Sequence, residues 1–102
     1  MAYRPVHVVR NANIFSKKDV FLIALDLDIL YWLADGLNPK QASSKIGRSY
    51  RTTRGYIYKL HNKTGYCEEG GLVRFALQYK VLFFRKGVLM KTKGNIKPKK
   101  KK

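Results

Sequence analysis

Arg51, Arg54, Tyr58 and Asn62 stand three or four residues apart in the segment YRTTRGYIYKLHN, with Gly55 among them. Side chains of these types carry the donors that read nucleic acid. A guanidinium can grip guanine through two parallel hydrogen bonds, a carboxamide can do the same for adenine, and a phenol can donate to a base or a phosphate. Placed on a helix, Arg51, Arg54, Gly55, Tyr58 and Asn62 fall within about 100° of one another. Thr53, Tyr56, Ile57, Leu60 and Thr64 take the other side and are expected to face a core. Gly55 lowers helix stability by about 1 kcal/mol relative to Ala. Its place on the outward face suggests that backbone or arginines need room against a ligand.

The other chemistry-bearing residues do not form a reactive set. Asp26 and Asp28 are two apart, which points them to different sides of a helix and away from paired acid-base work. His7 and His61 are isolated, and neither lies at metal-ligand spacing from the single Cys67. A lone cysteine forms no intramolecular disulfide, so nothing asks for an oxidising compartment. No glycine-rich phosphate loop or nucleophile elbow is present. The expectation is a binding protein, with no enzymatic activity, no metal and no cofactor.

Charge sharpens that expectation. The 102 residues hold 22 Lys plus Arg against 6 Asp plus Glu, a formal charge of +16. Such an excess concentrates polyanions, so nucleic acid is the first partner to consider and an anionic membrane surface the second. Between Gly36 and Cys67 there is no acid at all, while Lys40, Lys45, Arg48, Arg51, Arg54, Lys59 and Lys63 are all basic. The longest apolar run, Val20 to Leu25, is six residues, far short of the ~20 that span a bilayer. Met1 to Arg10 has no apolar leader. These features predict a cytoplasmic location without a membrane partner.

The elements that must position the basic face can be read next. Ser16 is placed to cap a helix, with Asp19 near its positive end and Phe15 and Val20 as a staple. That helix is expected to run to Ala34 or Asp35 and stop at Gly36. Leu22, Leu25, Ile29, Trp32 and Leu33 form one stripe, yet Ile23, Leu27 and Leu30 make the other side apolar too. Such a helix needs cover on two sides, from the C-terminal segment or from a second subunit. Asn38-Pro39-Lys40-Gln41 then opens a short second helix, Gly47-Arg48-Ser49 forms a turn and a fresh cap, and a third helix runs from Tyr50 to about Asn62. Two helices across a three-residue glycine turn make a helix-turn-helix, whose second helix lies in the major groove. Leu72 to Tyr79 is expected to be a fourth helix. Lys80 to Met90 fits either a hairpin or a continued helix followed by a strand. From Lys91 the sequence KTKGNIKPKKKK holds seven Lys and one apolar residue, which predicts a disordered tail.

The middle of the chain resembles the LuxR/GerE-type helix-turn-helix family. Ile29-Leu30-Tyr31-Trp32-Leu33-Ala34-Asp35-Gly36-Leu37-Asn38-Pro39-Lys40-Gln41 looks like that family's VLxLLAEGLSNKE segment. Ser49, Arg51-Thr52-Thr53-Arg54, Tyr56, Leu60 and Lys63-Thr64-Gly65 follow its pattern SxxTVKxHxxxIxxKLG in register, and Leu72-Val73-Arg74-Phe75-Ala76-Leu77 looks like its final helix. About 60 residues are covered without a gap. The resemblance implies an all-α, four-helix domain. By it Arg54, Gly55 and Tyr58 match base-touching positions, and Thr52, Tyr56 and Lys63 match phosphate or framework positions. The last helix matches the dimer-forming element, which would place Leu72, Val73, Phe75, Ala76 and Tyr79 at an interface. The chain departs from the pattern where the family's Val is Thr53, its His is Tyr56 and the Leu of its KLG is Thr64. The family's opening signal finds its echo at Phe15 to Asp19, seven residues early, which implies a longer first helix or a break near Ala24.

Together these readings predict an arm over 1–14, a helix-turn-helix domain over 15–90 and a Lys-rich tail over 91–102. The expected function is a sequence-specific regulator of transcription that binds double-stranded DNA as a homodimer in a bacterial, phage or plasmid setting, associated with the nucleoid. Arg51, Arg54, Gly55, Tyr58 and Asn62 would meet bases; Lys40, Lys45, Arg48, Thr52, Tyr56, Lys59 and Lys63, with the tail, would meet phosphates. With no room for a receiver or ligand-binding domain in 102 residues, control would lie in concentration, oligomerisation or a partner regulator. Two rivals carry the same charges: a non-specific DNA- or RNA-binding protein of chromosome or ribosome, and an adaptor that uses its apolar segments to bind another regulator.

Overall fold

A computed structural model describes residues 4–96. The element order is β1 (Pro5–Val9), β2 (Val20–Ile23), α1 (Ala24–Ala34), α2 (Pro39–Ile46), α3 (Tyr50–Thr64), α4 (Glu69–Gln78), β3 (Leu82–Arg85) and β4 (Val88–Lys91). The four helices are accompanied by two antiparallel two-stranded sheets. The domain is therefore α+β, and the all-α expectation is corrected.

The correction begins at the first helix. Ser16 caps nothing; α1 starts at Ala24, and the preceding four residues pair with β1 in the register Val9↔Val20, Val8↔Phe21 and His7↔Leu22. Val20-Phe21-Leu22-Ile23 joins β-branched and aromatic residues with strict alternation, Val20 and Leu22 buried and Phe21 exposed. That combination suits a half-buried strand better than a helix turn. The break near Ala24 is the alternative that the structure adopts. Asp26, at the third position of α1, accepts the Ile23 N–H at 3.0 Å, the bond that a third-position acid contributes to a capping box.

The helix-turn-helix forms where its caps predict. Asn38 and Gln41 exchange backbone and side-chain bonds at 2.8 and 2.9 Å, Pro39 occupies the first position of α2, and Gly47 ends it in the left-handed conformation. Ser49 accepts the Thr52 N–H and opens α3.

The core centres on α1, whose Leu25, Leu27, Ile29, Leu30 and Leu33 are buried. Its cover comes from β2, the other three helices and β4 of the same chain, so its apolar excess does not require a second subunit. Leu72, Phe75 and Ala76 of α4 are fully buried in that core, and Tyr79 packs on Phe75 with ring centroids 5.1 Å apart. Of the residues predicted for the dimer interface, Leu72, Phe75 and Ala76 are thus interior and Val73 and Tyr79 partly exposed, while Arg74, Leu77 and Gln78 form the exposed side of α4.

Lys80 to Met90 resolves as the hairpin, turning through Lys86 and Gly87, both at positive φ, as a two-residue turn between twisted strands requires. The disordered tail is corrected for Lys91 to Ile96. Thr92 N–H donates to Val81 O, and the chain then lies along the free edge of β1. Asn95 exchanges hydrogen bonds with Val8 N and O at 2.8 and 2.9 Å, and Ile96 N–H donates to Val6 O at 3.1 Å. A side-chain amide here imitates a strand and satisfies an edge that would otherwise invite pairing with another chain. A Cβ at Gly94 would collide with Val6 O. The remainder of the predicted tail, 97–102, lies outside the described residues.

Candidate nucleic-acid interface

The α3 helix of 15 residues is about 22 Å long, and its two faces separate as the periodicity predicts. Thr53, Ile57, Leu60 and Thr64 are buried, and Tyr56 is half-buried. The Thr53 and Thr64 hydroxyls donate to the carbonyls of Ser49 and Leu60, so the polar positions where the family pattern has Val and Leu are satisfied locally. Arg51, Arg54, Gly55, Tyr58 and Asn62 are all exposed. A Cβ built on Gly55 would meet nothing within 4 Å. Among the described residues no packing accounts for a glycine there, and a shallow open cleft is lined by Arg51, Arg54, Gly55 and Tyr58.

Three basic side chains of α2 and α3 lie over aromatic rings. Arg54 lies 5.7 Å from the Tyr50 ring centroid, Lys59 5.0 Å from Tyr56 and Lys45 5.5 Å from Trp32. Cations over ring faces lose less freedom when they engage a phosphate, because the stem is already packed. Tyr50, which by sequence only opens α3, supports Arg54 from one turn away. The signal for it was present: an aromatic and an arginine at i and i+4 share a helix face. Lys40, Lys45, Arg48, Thr52 and Lys59 are exposed along α2, the turn and α3. Thr52 is tied into the cap through its hydroxyl, which accepts from Ser49 at 3.0 Å. Glu69, at the start of α4, borders the same face in a cleft with Arg54, Tyr58 and His61.

Lys63 stands apart from the other predicted phosphate ligands. Its Nζ lies 3.0 Å from Asp26 Oδ2, and Asp26 is fully buried. A carboxylate removed from water needs a partner. Lys63 therefore serves α1 first, joining its N-terminus to the C-terminal end of α3. Asp19 and Asp28 are likewise paired, with Arg10 and Lys91, so ion pairs among the described residues engage Asp19, Asp26 and Asp28.

Asn62 shares the outward direction of Arg51 and Tyr58 but has a different neighbourhood. The loop after β1 closes on this end of α3, where Asn13 Nδ2 donates to Lys63 O at 2.9 Å and Ile14 N–H to Thr64 O at 2.8 Å. Asn62 lies between that loop and Tyr58. The structure thus gathers Arg51, Arg54, Gly55 and Tyr58 into one open surface and sets Asn62 at its rim.

Among the described residues no group of three or more His, Cys, Asp or Glu could hold a metal, and no helix is long and apolar enough to cross a membrane. No protein-family model matches the chain, and neither a curated protein nor a solved structure matches it.

Proposed function

We propose that the protein is a sequence-specific double-stranded DNA-binding regulator of transcription that lays α3 in the major groove. The observation that carries the reading is the open Arg51, Arg54, Gly55, Tyr58 surface on the second helix of a helix-turn-helix. Arg51 and Arg54 are the readers, as bidentate donors to guanine, and Tyr58 a donor to an adjacent base or phosphate. Gly55 lets the helix backbone approach the base edges. Lys40, Lys45, Arg48, Thr52 and Lys59 fix the register on phosphates, which carry affinity but no sequence information. The order α1 to α4 and the motifs within it support kinship with the LuxR/GerE helix-turn-helix, here with strands added at both ends. Assembly on DNA as a homodimer belongs to the same proposal, through surfaces other than the buried side of α4.

Selection from a random duplex library at about 0.15 M salt, where exposed charges are screened beyond about 8 Å, tests the reading. An enriched motif is the expected result, and two related half-sites would give the dimer symmetry. In a titration on the selected site, Arg54→Ala should weaken binding by about 1 to 3 kcal/mol and relax preference at one position. Binding without enrichment would favour a non-specific nucleic-acid protein instead.

A further inference from the structure

Phe15 is 77% exposed, more than any other large apolar side chain among the described residues. It is not on a loose loop. Asn13 Oδ1 accepts the N–H groups of Phe15 and Ser16, both at 2.8 Å, while Lys17 N–H donates to Asn13 O and the N–H groups of Ala12 and Asn13 donate to Lys18 O. The same Asn13 is anchored by its amide to the C-terminal carbonyls of α3. The tip is basic: Lys17 and Lys18 are both exposed, and the neighbouring Asp19 is occupied by Arg10 and by the Asn11 N–H. Phe15 and Ser16 line one groove with Tyr58, His61 and Asn62, which makes the loop surface continuous with the recognition face.

An aromatic side chain presented to water by a loop rigidly hydrogen-bonded to α3 contributes little to the core. Its position relative to α3 says what it meets. Asn62, at the far end of α3 from Arg51, adjoins the loop, so with α3 in the major groove the loop lies at the edge of that groove. We infer that the Asn13 to Lys18 loop is a second DNA-contacting element, which enters the minor groove flanking the bases read by α3. Phe15 packs as a wedge against sugars and base edges there, and Lys17 and Lys18 hold the two bordering phosphates. Minor-groove wedges of this kind are apolar side chains on a basic support, and both parts are present here. The inference rests on the α3 reading above.

The experiment compares the wild type, Phe15→Ala, the double variant Lys17→Asn with Lys18→Gln, and Arg54→Ala on the selected duplex. Asn is chosen because Lys17 has φ +60°, a conformation Asn tolerates. Salt-dependent titrations are combined with hydroxyl-radical footprints, which report sugar exposure in the minor groove. The double variant should lower the salt slope by about 2 with unchanged base preference. Phe15→Ala should lose about tenfold in affinity, within the range for an aromatic side chain against a base. Both should lose a flanking patch of protected sugars while keeping the wild-type thermal midpoint. Wild-type binding and footprints from both loop variants, with Arg54→Ala still relaxing preference, would overturn the loop assignment alone. No duplex binding by the wild type would overturn the α3 reading and the loop with it.

Discussion

Helices α1 and α3 are neighbours of opposite character. In α1 apolar residues occupy every side, and the helix is enclosed by strands and helices of its own chain. In α3 apolar residues and threonines occupy one side only, and the other carries arginines, a tyrosine and a glycine into solvent. The difference shows how a chain of +16 charge remains folded. Repulsion among exposed cations is kept at the surface, around a helix that contributes mostly burial. Asp26 and Lys63 couple the two helices, one a buried acid on α1 and the other a cation on α3.

The largest effect should come from emptying the site where α4 seals α1. Phe75→Ala removes a fully buried ring and should cost about 3 to 5 kcal/mol, read as a drop in the denaturation midpoint. Removing the tie comes next. Lys63→Met leaves the Asp26 carboxylate buried without its cation and should cost about 3 kcal/mol. If Lys63 served DNA alone, the variant would keep its stability and lose only affinity, and the contrast between the two helices would fail at that point. Gly55→Ala runs the other way. With nothing within 4 Å of the new methyl, the variant should gain up to about 1 kcal/mol of stability and bind the selected duplex more weakly. A stabilised variant with full affinity would show that the backbone does not need to approach the bases closely.

The smallest effect concerns pH. His7 is buried in β1 with no hydrogen-bond partner for Nδ1 among the described residues, and burial pushes its pKa below the usual 6.5. The unfolded chain therefore takes up a proton at a higher pH than the folded one. Stability should be full above pH 6.5 and decline as pH falls toward the lowered folded value. Thermal midpoints across that interval should slope less in His7→Gln than in the wild type.

Legibility along the chain follows the range of the interactions that decide each element. Asn38, Pro39, Gln41, Gly47 and Ser49 act on groups within a few residues of themselves, so α2, the turn and the start of α3 are legible almost residue by residue. The two faces of α3 are legible for the same reason. Phe15 to Ile23 misleads, because its capping and apolar spacing fit a helix while the β-branched and aromatic side chains of Val20, Phe21 and Ile23 fit a strand. Pairing with β1, the segment PVHVV, decides between them. Lys63 is legible as a cation but not as the counter-ion of Asp26, which lies 37 residues away. Phe15 fits a helix staple by its spacing, and spacing gives no sign of its exposure on an anchored loop.

By itself the sequence determined the charge, the helix-turn-helix and the residues that α3 offers to solvent, because caps, periodicity and local charge act over one or two turns of chain. Tertiary structure alone decided that Asn95 completes the edge of β1, that Leu72, Phe75 and Ala76 belong to the monomer's core, and that Lys63 answers a buried acid. Each of those outcomes joins residues far apart in the chain, where burial and hydrogen bonding between distant segments outweigh local propensity.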